Sequence, residues 1–313
     1  MKKIVLSLVA LVVLGLVALY AFIPTRLDVS ESTQIDCTID GGFRILSNEM
    51  QWNKWWPGES SSIISTGTHF IFKKDSFYFA KISHNILDID MTHKGLSLSS
   101  QMSLIPLPNN TLAVEWHTFV PTGLNPFSRY KHYREAISIK ENIHSILSAL
   151  QAYLSKKENI YGLPFKEEST KDSVLLTYKT ETNIYPGTSI IYTIINNLKK
   201  TSKDNGAIAT GFPMLNITPL PDASYKIMVA LPINKELKNI NGYFISRLVK
   251  GKFITAEVKG GDAAVNETLK NIQLYFQDYK RTTMAIPFQY LVTDRSREPD
   301  STKWLTRIYA PVY

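Results

Sequence analysis

An uncharged run of twenty residues, Ile4 to Ile23, constrains this chain more than any other feature of its sequence. Apart from Ser7 and Gly15, every residue in the run is aliphatic or aromatic. An α-helix rises about 1.5 Å per residue, so the run is about 30 Å long, which matches the hydrocarbon core of a bilayer. We therefore predict one transmembrane helix, within a membrane anchor that comprises residues 1–26.

A cleaved secretory signal is the alternative to this anchor. The apolar part of such a signal is typically about 7 to 15 residues long and ends at a small-x-small cleavage site. The end of this run, from Val17 to Phe22, contains no clean site of that kind, so an uncleaved anchor is favoured. Lys2 and Lys3 precede the run. We therefore expect a cytoplasmic N-terminus and a periplasmic or otherwise extracytoplasmic remainder, although Arg26 on the other flank weakens this bias.

The composition limits what can follow the anchor. The chain has 313 residues, of which 44% are hydrophobic and 20% are charged, and these values are ordinary for globular protein. The length beyond the anchor suits two domains of ordinary size. Cys37 is the only cysteine, which excludes an intrachain disulfide and a cysteine-based zinc site. The six histidines show no metal-ligand spacing, so we expect neither a metal nor a cofactor.

The net charge of +8 would suggest a nucleic-acid or membrane partner if it were concentrated in one place. Residues 27–158 carry 12 basic and 13 acidic side chains, whereas residues 159–313 carry 20 basic and 14 acidic ones. The excess therefore belongs to the C-terminal half, where the lysines are scattered. Lys199, Lys200 and Lys203 form one small cluster, and their helical spacing favours a solvated helix face over a patch for anionic lipid.

Residues 27–158 have the pattern of one α+β domain. A strand from Leu27 to Ile39 ends at a turn signal, Asp40-Gly41-Gly42, and a long helix from Pro126 to Tyr153 closes the region. The apolar residues of that helix recur at spacings of three and four, so one face has to pack on another element. Alternating apolar and polar residues predict five strands in between: His69 to Lys73, Ser76 to Ile82, Ile86 to Thr92, Leu96 to Ile105 and Thr111 to Phe119.

Two short motifs in this region resemble the START-like superfamily, which is also called SRPBCC or polyketide-cyclase type. They are the segment Trp52-Asn53-Lys54-Trp55-Trp56-Pro57 and the pair Glu115-Trp116 on a late strand. The resemblance implies a helix-grip fold with a cavity between the sheet and the long helix, where most members bind hydrophobic ligands. Trp52, Trp55 and Trp116 are therefore ligand-binding candidates. The alternatives are that these tryptophans fill the core or face lipid near the membrane.

Residues 159–170 are polar and contain Gly162 and Pro164, so we predict a linker before a second domain at 171–313. In that domain one pattern, strand-helix-strand-strand, occurs twice. Two such units side by side would form an antiparallel sheet with both helices on one face and a ligand cleft between the units. The first copy has a strand at Ser173 to Glu181, a helix at Thr188 to Lys203, and strands at Phe212 to Thr218 and Tyr225 to Leu231. The second copy has a strand at Tyr243 to Val249, which is extended over Phe253 to Val258, a helix at Ala263 to Tyr279, and strands at Ile286 to Thr293 and Trp304 to Val312.

Several fragments of this region resemble the GyrI-like or AraC-type effector-binding domain. The most specific is Thr306-Arg307-Ile308-Tyr309-Ala310-Pro311-Val312, and it is supported by Val229-Ala230-Leu231-Pro232-Ile233, Lys259-Gly260-Gly261 and Pro287-Phe288-Gln289-Tyr290-Leu291. The resemblance implies that the cleft between the two repeats binds small organic molecules, which are often cationic or aromatic. A glutamate commonly meets the ligand where this chain has Gln289. An amide cannot neutralise a cation or act as a general base, so this difference argues against both roles.

Alternation along the predicted strand Ile286 to Thr293 directs Gln289 to the opposite side from Phe288 and Tyr290. The candidate cleft residues combine this amide with aromatic side chains and one arginine from the neighbouring elements. For each of them the alternative to ligand binding is that the side chain only packs in the sheet. The candidates are Gln289, Tyr243, Phe253, Trp304, Tyr309 and Arg247.

These features favour a binding protein over a catalyst or a gene regulator. Regulators with the effector-binding domain carry a DNA-binding helix pair, which is missing from this sequence, so we expect no nucleic-acid partner. The leading hypothesis is a membrane-anchored protein, held through residues 4–23, that binds a hydrophobic or amphipathic small molecule. One alternative is a hydrolase or cyclase that uses Glu257 or Glu115, for which no partner base or nucleophile is identifiable. The other alternative is an envelope scaffold.

Overall fold

The computed structural model describes residues 2–63, 67–238, 240–248, 250–282 and 285–312. The fold is α+β, as predicted, with an N-terminal apolar helix followed by two curled antiparallel sheets. The chain divides into two compact units, Met1–Ile160 and Tyr161–Tyr313. The domain boundaries given above remain predictions.

Helix α1, Lys2–Phe22, contains the apolar run. Its mean hydropathy is 2.8, and all of its residues are exposed or half-buried within the structure. The helix is therefore long and apolar enough to span a membrane, a criterion that an N-terminal signal sequence also meets. Apolar side chains that the rest of the chain leaves uncovered are stabilised by transfer to another apolar medium.

The first unit is built on an antiparallel sheet of seven strands among the described residues. They are β1 (Arg26–Ile35), β2 (Glu59–Ile63), β3 (Gly67–Phe72), β4 (Asp75–Ser83), β5 (Ile86–His93), β6 (Leu96–Leu107) and β7 (Thr111–Pro121). The spatial order is β1-β7-β6-β5-β4-β3-β2, so the strands from β2 to β7 form a meander and β1 pairs with its last strand. Sequence reasoning missed β2, because three consecutive serines give no alternation and the strand forms by pairing with β3.

In the described part of this unit the sheet is accompanied by the helices α2 (Ile39–Leu46), α3 (Glu49–Trp52) and α4 (Pro126–Leu154). The turn predicted at Asp40-Gly41-Gly42 is wrong, because these residues form the first turn of α2. The Thr38 side chain caps this helix by accepting a hydrogen bond from the Gly41 backbone N–H at 3.2 Å. The capped helix ends β1 at Ile35, four residues earlier than predicted.

The long helix α4 closes the first unit on β1 and β7. It begins at Asn125, whose side chain accepts the Phe127 N–H at 2.9 Å, and Pro126 occupies the first helical position. Its buried apolar stripe confirms the predicted face. The stripe consists of Ala136, Ile139, Ile143, Ile146, Leu147, Leu150 and Leu154.

The second unit contains the larger sheet. The short helix α5 (Lys157–Tyr161) precedes it in sequence, and its two long helices are α6 (Thr188–Asp204) and α7 (Asp262–Asp278). Its strands are β8 (Lys166–Ser169), β9 (Ser173–Thr182), β10 (Met214–Pro219), β11 (Tyr225–Ile233), β12 (Phe244–Leu248), β13 (Lys252–Lys259), β14 (Phe288–Leu291) and β15 (Leu305–Val312). The spatial order is β12-β9-β11-β10-β14-β15-β13-β8. Strand β8 lies inside the segment that was predicted to be a linker.

The predicted duplication is present in this sheet. The elements β9, α6, β10 and β11 have the same order and pairing as β13, α7, β14 and β15. In each repeat the second strand, β10 or β14, lies at the centre of the sheet. The two repeats meet at the pair β10 and β14, which is only two residues long: Met214 faces Tyr290 and Leu215 faces Gln289. Such a short pairing leaves room on both faces of the sheet beyond its ends.

One strand of the duplication was assigned to the wrong repeat. The predicted strand Tyr243 to Val249 was expected to open the second repeat, but β12 pairs with β9 at the edge of the first repeat. Strand β13 opens the second repeat instead, on the far side of the sheet. The partners of the two strands therefore decide which one opens the second repeat.

The sheet curls because two short connections join its opposite edges. Strand β8 is last in the order and β9 is second, yet only residues 170–172 connect them. The Thr170 N–H donates to the Gly251 carbonyl at 3.0 Å, and the Lys250 N–H donates to the Asp172 carboxylate at 2.6 Å. These bonds tie the β8–β9 connection to the β12–β13 connection. The face of the sheet that carries no helix therefore becomes an interior.

Candidate functional site

The interior of the second sheet contains a cluster of aromatic rings. Phe288 and Tyr290 of β14 point into it because alternate residues of a strand share one face. The rings of Phe288 and Tyr309 stack with their centroids 5.3 Å apart and their planes nearly parallel. Phe253 of β13 meets both rings edge-on, at 5.8 Å and 5.9 Å. Leu175 and Ala230, from the other repeat, pack in the same cluster, so both repeats contribute to it.

A cavity of about 400 Å³ adjoins this cluster on the side of the first repeat. Its walls come from β9, β10, β11, β12 and β14 and from the segment that leads into β14. They are predominantly apolar. The main wall residues are Leu175, Thr177, Met214, Met228, Ala230, Leu248 and Phe288.

Thr177 is the unusual residue of this wall. It is only 1% exposed, and its Oγ1 has no hydrogen-bond partner among the described residues. Burying a hydroxyl without a partner costs about 1–3 kcal/mol in proteins. The side chain shares its face of β9 with Leu175, so the hydroxyl lies on the cavity side of the sheet. A bound polar atom would remove this cost if rotation about χ1 turned the hydroxyl, which its neighbours cover, towards the cavity.

A smaller cavity of about 180 Å³ lies at the other end of the same interior, beside Glu168, Leu248, Tyr290 and Tyr309. Glu168 of β8 is paired with Phe253, so its carboxylate points to the aromatic side. Its Oε2 accepts a hydrogen bond from the Tyr309 hydroxyl at 3.1 Å. Burial raises the pKa of both Tyr290 and Tyr309, so these phenols stay neutral and able to donate.

Gln289 lies on the opposite face of the sheet from the aromatic cluster, as the alternation predicted. It is flanked in the sheet by Leu215 and Ile308, and it lines a separate cavity of about 450 Å³ that also touches Leu269 of α7. The structure therefore does not bring Gln289 together with Phe253 and Tyr309. Its role in ligand binding remains a prediction.

The other three candidates of the second unit are also separated from the aromatic cluster. Tyr243 packs on Tyr178, with ring centroids 5.8 Å apart, in the core beneath α6. Trp304 donates from its Nε1 to the Glu298 carbonyl at 2.8 Å, and the Arg295 guanidinium stacks on its ring.

Arg247 is the candidate that borders the 400 Å³ cavity. Its guanidinium is largely exposed and pairs with Glu236, the Nε lying 3.1 Å from the carboxylate oxygen. The structure thus brings Phe253 and Tyr309 together and places Arg247 at the rim of the neighbouring cavity.

In the first unit the candidate tryptophans belong to the packed core. Trp52, Trp55 and Trp116 are 1%, 5% and 0% exposed, respectively. Trp52 donates from its Nε1 to the Leu46 carbonyl at 2.8 Å, and Trp116 donates to Ser100 Oγ at 3.0 Å. Trp52 also contacts Phe70, and Trp116 contacts Phe77. These large side chains occupy the helix-facing side of the sheet, where the resemblance implies a cavity.

Among the described residues, neither Glu257 nor Glu115 lines one of the cavities described above. Glu257 accepts a hydrogen bond from Arg307 Nε at 2.9 Å and forms an ion pair with it. Glu115 lies between Val114 and Trp116, which are buried, so it points to the outer face of the sheet. The described residues contain no group of three or more histidine, cysteine, aspartate or glutamate side chains placed to hold a metal ion.

Comparisons with known proteins give weak matches. No protein-family model and no curated protein sequence matches the chain. It is similar to the cryo-EM structure of an EcmrR–DNA complex, with 16% identity and a TM-score of 0.45 over 59% of this chain and 71% of that one. It is also similar to a protein bound to tetraphenylphosphonium, with 18% identity and a TM-score of 0.32 over 48% of this chain and 93% of that one. A third similar structure is the ZhuI aromatase/cyclase of a Streptomyces species, with 9% identity and a TM-score of 0.33 over 42% of this chain and 95% of that one. The function of this chain therefore has to follow from its own geometry.

Proposed function

We propose that this protein holds a small hydrophobic or amphipathic molecule inside the curled sheet of its second unit and is tethered to a membrane by α1. The observation that carries the proposal is the Thr177 hydroxyl, which is buried against an apolar cavity and has no hydrogen-bond partner among the described residues. The cavity of about 400 Å³ falls in the usual range for ligand pockets, roughly 300–1,000 Å³. A ligand with an apolar body and one polar atom would cover the walls and pair with this hydroxyl.

The cavity walls suit ligands of varied shape. Met214 and Met228 contribute unbranched, polarisable side chains that adapt to irregular surfaces. Phe288 offers an aromatic ring for edge-to-face contact. At the other end of the interior, the Glu168 carboxylate would meet a basic group on the ligand, with Tyr290 and Tyr309 beside it.

The proposal includes finer assignments for the two units. The first would be a START-like domain over residues 27–158, which is supported by its antiparallel sheet and single long helix. The second would be a GyrI-like effector-binding domain over residues 171–313, which is supported by its duplicated strand-helix-strand-strand topology. The N-terminus would be cytoplasmic and both units extracytoplasmic, for which Lys2 and Lys3 are the support.

The test uses the full chain in lipid nanodiscs and a neutral fluorescent probe, N-phenylnaphthylamine. The probe is titrated into nanodiscs that contain the protein and into empty nanodiscs. The signal from the empty discs, which comes from probe dissolved in lipid, is subtracted. Ala230→Trp fills the cavity from β11, and Ile184→Trp, at a position that is 67% exposed, is the matched control. Thr177→Val keeps the shape of the wall and removes only the hydroxyl.

We expect saturable binding of one probe per chain above the empty-disc signal. Ala230→Trp should abolish it, while Ile184→Trp should leave it unchanged. Thr177→Val should weaken binding of the N–H probe by up to about tenfold, which corresponds to the net free energy of one hydrogen bond. The same variant should not weaken binding of phenylnaphthalene, which has no polar atom. Absence of saturable binding, or equal binding by wild type and a folded Ala230→Trp variant, would exclude this site.

A further inference from the structure

Helix α1 joins the first unit at one particular end of its sheet. Strand β1 begins at that end, where Arg26 pairs with Pro121, the last residue of β7. Strand β7 ends there, so the β7–α4 loop also lies at this end. We call it the α1 end of the first unit.

Contacts hold the last turn of α1 against the β7–α4 loop. The Tyr20 hydroxyl donates to the Leu124 carbonyl, and the Arg129 guanidinium lies 4.6 Å from the centre of the Tyr20 ring. The Thr122 hydroxyl donates to the Pro24 carbonyl at 2.7 Å. The loop and the start of α4 are therefore level with the C-terminal turn of α1. If α1 spans a bilayer, this level is the boundary between hydrocarbon and headgroups.

Large apolar side chains are exposed at this level. Leu124 is 78% exposed, Phe127 is 85% exposed and Tyr130 is 54% exposed. Phe22, in the last turn of α1, is also 85% exposed. Exposed apolar groups that lie together mark interaction surfaces, and aromatic side chains favour the membrane interface.

Basic side chains lie beside these apolar groups. The start of α4 carries Lys131 and Arg134, both exposed. Arg26 adds a further exposed charge at the start of β1.

The acidic side chains of this end offset these charges only in part. Asp28 is paired with His117, and Glu135 is buried beside Lys131 and His132. Glu59 is exposed at the far edge of the sheet, on β2. The exposed charges beside the apolar groups are therefore mainly cationic, with Arg26, Lys131 and Arg134 against Asp28, and they complement a bilayer that contains anionic phospholipid.

We propose that the α1 end of the first unit is a lipid-docking surface, in which Leu124, Phe127 and Tyr130 enter the headgroup region. The basic side chains beside them, Arg26, Lys131 and Arg134, contact anionic phospholipid. The proposal rests on the membrane tether stated above. It adds that the first unit lies on the bilayer rather than hanging from α1 at a distance. The occupant of the surface is a bilayer, and a second copy of the chain is an outcome that the test has to exclude.

The test labels single introduced cysteines with the environment-sensitive fluorophore NBD in the full chain, reconstituted in nanodiscs. Native Cys37 is fully buried and should stay unlabelled. Phe127→Cys reports on the proposed surface. Ile105→Cys is the matched control, because Ile105 is also an exposed apolar residue, at 41%. Ile105 lies far from the α1 end. It pairs with Ala113, which is eight residues from Pro121 along β7, and at about 3.3 Å per residue this separation is about 26 Å.

Leu11→Cys, in the middle of α1, tests the tether itself. Lipids with a doxyl quencher near the headgroup should quench the Phe127→Cys label and leave the Ile105→Cys label unaffected, while aqueous iodide should do the opposite. Deep doxyl quenchers should quench the Leu11→Cys label. If Leu11→Cys is quenched but Phe127→Cys is as accessible to iodide as Ile105→Cys, the docking surface is excluded and the tether stands. If Leu11→Cys is not quenched, the tether is excluded as well.

Two further measurements identify the occupant. Replacing neutral discs by discs with anionic lipid should increase headgroup quenching of Phe127→Cys several-fold, and Lys131→Glu with Arg134→Glu should remove that increase. A label that is equally protected in detergent, with energy transfer between differently labelled copies, would show that a second chain covers the surface. That result would overturn lipid docking.

Discussion

The Nδ1 atom of His93 lies 2.5 Å from the Oδ1 atom of Asp75 in the core of the first unit. The two residues face each other across β4 and β5 and are 2% and 0% exposed, respectively. Asn142 of α4 donates from its Nδ2 to the other Asp75 oxygen at 2.8 Å, and Lys73 donates to Asn142 at 2.9 Å. This network connects the sheet to the long helix through polar groups.

Removing one member of this network should destabilise the first unit strongly. Asp75→Ala leaves His93 and Asn142 buried without their acceptor, and the loss of a partner from a buried pair typically costs about 3–5 kcal/mol. Asp90→Ala, at an exposed position on β5, is the control and should change the free energy of unfolding by less than about 0.5 kcal/mol. Urea denaturation, followed by tryptophan fluorescence, measures both. Equal losses for the two variants would contradict this account.

The thiol of Cys37 should be inert in the folded protein. Burial, together with the nearby Asp36 carboxylate, raises its pKa from 9.0 to about 12. The folded state therefore favours the protonated thiol, so this contribution to stability is complete below pH 9 and is lost as the pH rises towards 12. A disulfide reagent at pH 8 should label the unfolded chain within minutes and the native chain far more slowly. Equally fast labelling of both states would contradict the burial of this residue.

Gly58 should not tolerate a side chain. A Cβ atom at this position would lie 1.9 Å from the Ile71 carbonyl oxygen, which belongs to the backbone of β3 and cannot move independently. We expect Gly58→Ala to lower the free energy of unfolding by about 1–3 kcal/mol, as overpacking does elsewhere. Gly211→Ala is the control, because its Cβ would meet Pro232 at an ordinary 3.4 Å. A similar change for both variants would show that the backbone at Gly58 yields easily.

Gln289→Glu should destabilise the second unit in a pH-dependent way. Gln289 is 6% exposed and lies between Leu215 and Ile308, so burial would raise the pKa of a carboxyl at this position. The protonated form is then favoured in the folded state. We expect a loss of about 2 kcal/mol at pH 7.5, of which about half is regained at pH 5, because the loss disappears fully only below the ordinary glutamate pKa of about 4.3. Gln273→Glu, at an exposed position on α7, should show neither effect, and denaturation at the two pH values tests this.

The same variant also tests the resemblance to the effector-binding domain. If Gln289 occupies the position of the ligand-binding glutamate, Gln289→Glu should gain affinity for a cationic dye such as rhodamine, whereas Gln273→Glu should not. Fluorescence anisotropy in nanodiscs, with empty discs subtracted, measures this gain. A folded Gln289→Glu variant without any gain would leave the aromatic interior near Glu168 as the remaining site for a cation.

Local sequence determined the features that depend on few neighbours. The run Ile4 to Ile23 is apolar and uncharged throughout, so α1 follows from length and composition. The two strand-helix-strand-strand patterns follow from the change between periods of two and 3.6, and the orientation of Gln289 against Phe288 follows from strand alternation. Each of these is decided by residues that are close together in the chain.

The tertiary structure decided every feature that depends on which strands become partners. Strand β8 lies in the predicted linker and β12 belongs to the first repeat, because both are defined by hydrogen bonds to distant segments. The candidate site was divided for the same reason: Phe253 and Tyr309 share the interior, whereas Tyr243 packs beneath α6. Thr177 could not have been selected from its sequence. A threonine in a strand is ordinary, and its hydroxyl becomes significant only because the curled sheet buries it beside an apolar cavity without a partner among the described residues.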